Sequence, residues 1–203
     1  SSLARTEFKG KKLFDYLPQF KDWLMCASID GTGEIVEFIR KGIVWEQWLD
    51  NFKEGLAAPG GKDKMLFDLT ITGPGMFSIK DLFDLSLELD VRIETKIMFA
   101  FHPDIIFSPF AWPKHILTRK IDELLEYMEP IATHKQFTLI NTLREMRNRP
   151  SFEEEYPEEF IQGKKNGKGY QDRLDSIRDE KITIADIYKA DDELYEWWKG
   201  EEK

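Results

Sequence analysis

The chain has 203 residues, 41% of them hydrophobic, and a formal net charge of -9 at pH 7, which suits one domain with a sizeable core and disfavours a broad positive surface for nucleic acid. No apolar run is long enough for a membrane span, and residues 1–12 lack the apolar core of a secretory signal. Cys26 is the only cysteine, which excludes an internal disulfide and a multi-cysteine metal site within the chain and favours a reducing, cytoplasmic location.

Taken in chain order, the first half alternates between strand and helix patterns. Residues 1–6 are typical of a strand end or loop, 12–20 of a short helix or turn, and the apolar run 23–29 of a strand covered on both faces. Residues 34–55 have helical periodicity with a break at Gly42, residues 65–72 alternate as a second strand, Ser78 is a candidate cap for the next helix, and residues 92–101 are a third strand.

This alternation predicts an α/β fold with parallel strands and right-handed crossovers. Three strands leave two sheet edges to protect, so we expect further strands upstream of Ser1. An opened barrel would also expose an apolar inner wall, and we expect the isolated chain to associate with itself through the open edge.

The second half is predicted to be mainly helical. Helical patterns cover residues 114–129 and 134–148, an acidic stretch covers 151–160, a flexible lysine-rich connector covers 163–169, and short helices cover 170–181 and 191–199. We therefore divide the chain into residues 1–113, the α/β part, and residues 114–203, a helical extension.

Polar residues follow the first strand. Ser28 and Asp30 stand at its carboxyl end, where parallel α/β folds bind ligands, and their hydroxyl and carboxylate could bind ribose or another polyol. A turn at Asp30–Gly31, with Ser28 bonded to backbone, is the structural alternative.

An ordered series of segments resembles the radical SAM superfamily, in particular its members with a short "twitch" extension. The matching segments are 28–31 (SIDG), 37–40 (EFIR), 42–45 (GIVW), 69–72 (LTIT), 92–101, the loop 103–113, 174–178 (LDSIR) and 187–188. The resemblance implies a partial (β/α) barrel with parallel strands corresponding to about strands 4–6. The complete enzyme would cleave S-adenosylmethionine reductively and abstract hydrogen from a substrate that the sequence does not identify.

The resemblance also implies site residues. Ser28 and Asp30 would border S-adenosylmethionine, Arg40 would pair with its carboxylate, Thr70 and Thr72 would approach from the next strand, and the backbone at Phe101 would flank adenine. The alternatives are a surface ion pair for Arg40 and plain strand propensity for the threonines.

The chain departs from the family at its defining motif. The C-x3-C-x2-C segment that holds a 4Fe-4S cluster is absent from this sequence, so the cluster ligands would lie upstream of Ser1 and this chain would be a downstream fragment, inactive alone. Two other functions stay open: a cluster-free protein-interaction module that uses residues 194–198, and nucleic-acid binding through a basic loop at 163–173.

Overall fold

The computed structural model describes residues 1–100, 104–177 and 182–200. A small hairpin of β1 (Glu7–Phe8) and β2 (Lys11–Lys12) opens the chain and leads into α1 (Leu13–Tyr16). The central sheet consists of β3 (Met25–Ile29), β4 (Met65–Ile71) and β5 (Arg92–Ile97) in the order β3-β4-β5. Both pairings are parallel, as predicted, with Ser28 opposite Asp68 and Asp68 opposite Glu94. The fold is α/β, and the described strands form an open sheet.

The crossovers follow the predicted pattern. Helices α2 (Gly33–Ile39) and α3 (Trp45–Ala57) connect β3 to β4, and α4 (Ile79–Glu88) connects β4 to β5. Gly42 separates α2 from α3 with a φ of 91°, a conformation that favours glycine. The predicted capping role of Ser78 is wrong, because its hydroxyl accepts a hydrogen bond from the Thr32 amide and donates one to the Gly75 carbonyl.

The two faces of the sheet differ in character. On one face the rings of Trp48 and Phe52 in α3 pack against Phe67 of β4. Because side chains alternate along a strand, Ser28, Asp68 and the other half-exposed polar residues lie on the opposite face. The prediction that β3 is covered on both faces is therefore wrong, and so is the prediction of an apolar inner wall.

The outer edge of β3 pairs with a single residue. The Ser1 amino group donates to the Cys26 carbonyl and the Ser28 amide donates to the Ser1 carbonyl, both at 2.7 Å, which is the pattern of one parallel pairing. Leu3 follows with a φ of 47° and carries the chain away from the edge. Self-association through this edge stays a prediction.

The second half is helical as predicted. It contains α5 (Lys114–Met128), α6 (Phe137–Asn148), α7 (Phe152–Glu155), α8 (Pro157–Ile177), α9 (Ile184–Tyr188) and α10 (Asp192–Lys199). The Thr95 hydroxyl of β5 lies 2.6 Å from that of Thr142 in α6, and one hydrophobic cluster runs through both halves of the chain. The division at residue 113 stays a prediction.

Helix α8 corrects the prediction for residues 163–169. A mobile linker or loop was expected from the glycines and lysines, but this segment lies inside a 21-residue helix. Gly163 and Gly167 are four residues apart, so they share one buried face, and a side chain at Gly163 would begin only 3.0 Å from Ile105. Because Gly163 has no side chain, α8 can pack closely against Ile105.

The aromatic C-terminal segment is packed inward. Leu194 and Trp198 are buried, and the Trp198 ring meets the buried Tyr188 ring edge-on at 5.5 Å. Tyr195 and Trp197 are half-buried and Glu196 is exposed, so docking of a partner through residues 194–198 stays a prediction in which Leu194 and Trp198 would take no part. Within the described residues, no helix is long and apolar enough to cross a membrane.

Candidate functional site

A cavity of about 410 Å³ opens at the carboxyl end of β3 and β4. Four residues predicted from the sequence line it: Asp30, Arg40, Thr70 and Thr72. Its other walls are largely apolar and come from Phe38, Ile39, Met98, Phe107 and Leu174, with Tyr170 and Gln171 from α8. Small-molecule sites typically combine apolar walls with a few polar groups in this way.

Asp30 and Arg40 form the charged pair of the cavity. Asp30 follows β3 and is 5% exposed, while Arg40 follows α2. The guanidinium donates from Nε to Oδ2 and from Nη2 to Oδ1, the second bond being 3.1 Å long. The alternative of an ion pair for Arg40 holds in part: the guanidinium pairs with a protein carboxylate, but this is the buried Asp30 of the strand rim and not a glutamate on the helix surface. The third guanidinium nitrogen, Nη1, takes part in neither of these two bonds.

The loops after β3 and β4 are packed in direct contact. A Cβ on Gly31 would lie 2.4 Å from Ser78 Oγ, and a Cβ on Gly75 would lie 2.4 Å from the Asp30 carbonyl oxygen. The Gly75 amide also donates to Thr72 Oγ1 at 3.0 Å. The hydroxyl oxygen of Thr72 thus accepts a hydrogen bond that stabilises the loop, while its hydroxyl hydrogen stays available to a ligand. These contacts hold the rim of the cavity in one arrangement.

Ser28 lies on the polar face of the sheet but outside the cavity lining. Its hydroxyl donates to Asp68 at 3.1 Å, and Lys96 donates to both oxygens of the same carboxylate at 3.0 and 2.8 Å. Burial tends to raise the pKa of Asp68, but the hydrogen bonds from Lys96 and Ser28 outweigh it and hold the pKa below its ordinary value. Ser28 therefore binds a protein carboxylate and does not line the cavity, where the sequence analysis had placed it.

Phe101 lies outside the described residues, so its predicted role is not addressed by the structure. The sequence interpretation missed the contribution of α8, since residues 163–169 were taken as a flexible connector and 170–181 as a separate short helix. The available signal was the spacing of Gly163, Gly167 and Gln171, which recur every four residues and mark one face of a helix.

The described residues contain no group of three or more His, Cys, Asp or Glu side chains that could hold a metal ion. Cys26 is half-buried within β3. No family model matches the chain, and no curated protein or solved structure matches it either.

Proposed function

We propose that this chain supplies one side of an S-adenosylmethionine site in a radical SAM enzyme. The observation that supports the proposal most is the cavity itself, which gathers Asp30, Arg40, Thr70 and Thr72 at the carboxyl ends of two adjacent parallel strands. The resemblance in sequence implies these same four residues as ligand contacts. Parallel α/β folds bind ligands at this edge.

The sheet is compatible with the barrel part of the proposal. Its strands are adjacent in chain order, and α3 and α6 contact the same face, through Phe67 and Thr95 respectively. A (β/α) barrel has this arrangement, with helices outside and parallel strands within. Under the proposal, β3, β4 and β5 are consecutive strands of a partial barrel whose polar face is turned inward.

The cavity residues suit S-adenosylmethionine chemically. Arginine binds carboxylates well because its planar guanidinium presents several donors, and Nη1 of Arg40 is the group that a ligand carboxylate would take. The hydroxyls of Thr70 and Thr72 suit ribose, and the apolar walls suit the remainder of the ligand. The role of this chain is to bind and orient the ligand and to shield it from water.

The 4Fe-4S cluster of the family does not fit this chain. Such clusters are held by several cysteine thiolates, and the sequence contains one cysteine. Reductive cleavage and hydrogen abstraction would therefore require cluster ligands from outside this sequence, and the substrate stays unidentified. The proposal for this chain is confined to ligand binding.

Arg40→Gln tests the proposal. We expect S-adenosylmethionine to bind the full 203-residue chain, and the variant to bind it about 10- to 150-fold more weakly, because charge-assisted hydrogen bonds contribute about 1.5–3 kcal/mol. The measurement is the Kd from calorimetry or ligand-observed NMR, with a thermal melt for each protein to establish that it folds.

Arg147→Gln is the matched control, because Arg147 forms a similar bidentate pair with Asp122 on the exposed surface, away from this cavity. This variant should bind S-adenosylmethionine like the unmodified chain. The proposal is refuted if the unmodified chain does not bind the ligand, or if both arginine variants lose the same affinity.

A further inference from the structure

Gln171 is a buried polar residue on a helix whose polar side chains are otherwise mostly exposed. It is 2% exposed, lines the cavity, and continues the buried face that contains Gly163 and Gly167. Helix α8 thus brings one carboxamide to the lining of the cavity. Buried polar groups are nearly always hydrogen-bonded, so each atom of this amide needs a partner.

Asp175 determines how the carboxamide is oriented. Gln171 Nε2 donates to Asp175 Oδ1 over 2.6 Å, one helical turn further along α8. An ionised carboxylate only accepts hydrogen bonds, so the amide must turn its NH₂ toward Asp175 and its Oε1 the other way. No group of the described residues donates to Oε1. Trp48 Nε1 is the one fully buried side-chain polar atom without a partner among the described residues, so Oε1 of Gln171 is an oriented acceptor that solvent or a ligand can reach.

The surroundings of this acceptor suggest the kind of donor it takes. Phe107 and Tyr170 line the same cavity, and aromatic side chains of this kind pack well against a planar ring. Arg40, the group suited to an anion, follows α2 and lines the same cavity. A ligand that fits both has an anionic group at one end and a ring bearing an N–H donor at the other.

We infer that Gln171 is a specificity-determining residue that recognises the exocyclic amino group of a purine on the ligand. The inference rests on the proposed function, since it assigns adenine to the α8 side of the same cavity. The adenine amino group would donate to Gln171 Oε1, whereas hypoxanthine has a carbonyl oxygen at that position and would place two acceptors face to face.

The experiment compares S-adenosylhomocysteine with S-inosylhomocysteine, which differ at position 6 of the purine and in the proton that hypoxanthine carries on the adjacent N1. The full chain should bind the adenosyl ligand about 10-fold or more tightly than the inosyl ligand. In Gln171→Met the ratio of the two Kd values should fall toward one. Gln162→Met is the matched control, because Gln162 also donates to a residue four positions on, Asn166, but lies exposed on the same helix. This variant should retain the preference.

Asp175→Asn is a second variant that leaves Gln171 in the cavity wall. Asparagine can donate as well as accept, so the Gln171 amide can turn over and the preference should weaken. This variant decides the matter if Gln171→Met does not fold.

The outcomes separate the two proposals. If neither ligand binds, the proposed function is refuted, and the inference is refuted with it. Binding of both ligands with equal affinity, or a preference that survives in the folded Gln171 and Asp175 variants, refutes the inference and leaves the proposed function standing.

Discussion

Replacing Gly75 by alanine tests whether the loops after β3 and β4 are packed as tightly as the structure indicates. The new Cβ would lie 2.4 Å from the Asp30 carbonyl oxygen and 2.7 Å from Thr72 Oγ1. Carbon–oxygen contacts in proteins are normally about 3.3 Å or longer, so one of the two loops would have to move by about 0.9 Å. Because one of the contacted atoms is backbone, a change of side-chain rotamer cannot relieve the overlap.

The expected magnitude follows from this overlap. Overpacking of a buried site costs about 1–3 kcal/mol of unfolding free energy, which for a chain of this size lowers the Tm by about 2–12 °C. The φ of Gly75 lies outside the left-handed range. Steric overlap therefore accounts for the effect, and backbone strain contributes none of it.

Gly169→Ala is the matched control with the opposite sign. Gly169 lies within α8, is exposed, and has no neighbouring atom within 4 Å of the position that a Cβ would take. Alanine is favoured over glycine in an exposed helix by about 1 kcal/mol, so this variant should raise the Tm by about 2–4 °C. Thermal unfolding followed by circular dichroism measures both. A Gly75→Ala chain as stable as the unmodified one would refute the close packing of the rim.

Two further predictions concern stability away from the cavity. The pKa of Asp186 is lowered to about 2 by hydrogen bonds from Lys189 and Thr183, so its contribution to the free energy of unfolding is full above about pH 4 and is lost as the pH falls through about 2. Unfolding in urea from pH 2 to 6 should show this slope in the unmodified chain and a smaller one in Asp186→Asn; identical slopes would contradict the assignment. Phe52→Ala should cost about 3–5 kcal/mol in urea unfolding at neutral pH, because the ring is fully buried against Trp48 and Phe67; a loss below about 1 kcal/mol would contradict that packing.

Local patterns in the sequence were sufficient for the strands and most helices. The three strands at 25–29, 65–71 and 92–97 lie within the predicted segments, and their parallel order follows from the helices between them. Gly42 divides α2 from α3 as predicted. Hydrophobic periodicity indicates local conformation directly, because the face of a helix or strand on which a residue lies depends only on its position along that element.

Helix α8 shows where local patterns mislead. Glycine and lysine at 163–169 have the composition of a flexible linker, and glycine disfavours an isolated helix. The helix is stabilised instead by close packing of Gly163 against Ile105, a contact between residues far apart in the sequence. Propensity is a weak prior that such tertiary contacts override.

The sequence by itself determined the element order, the parallel sheet and four residues of the cavity, Asp30, Arg40, Thr70 and Thr72. The element order and the parallel sheet follow from local periodicity, and Asp30 follows from the rule that parallel strands end at a common edge. Arg40, Thr70 and Thr72 were implied only by the resemblance to the radical SAM superfamily. Only the tertiary structure decided that Arg40 pairs with Asp30, that the second face of the sheet is polar, and that Gln171 lines the cavity. Those features depend on which distant segments meet, and pairing between distant segments leaves no periodic trace in a single sequence.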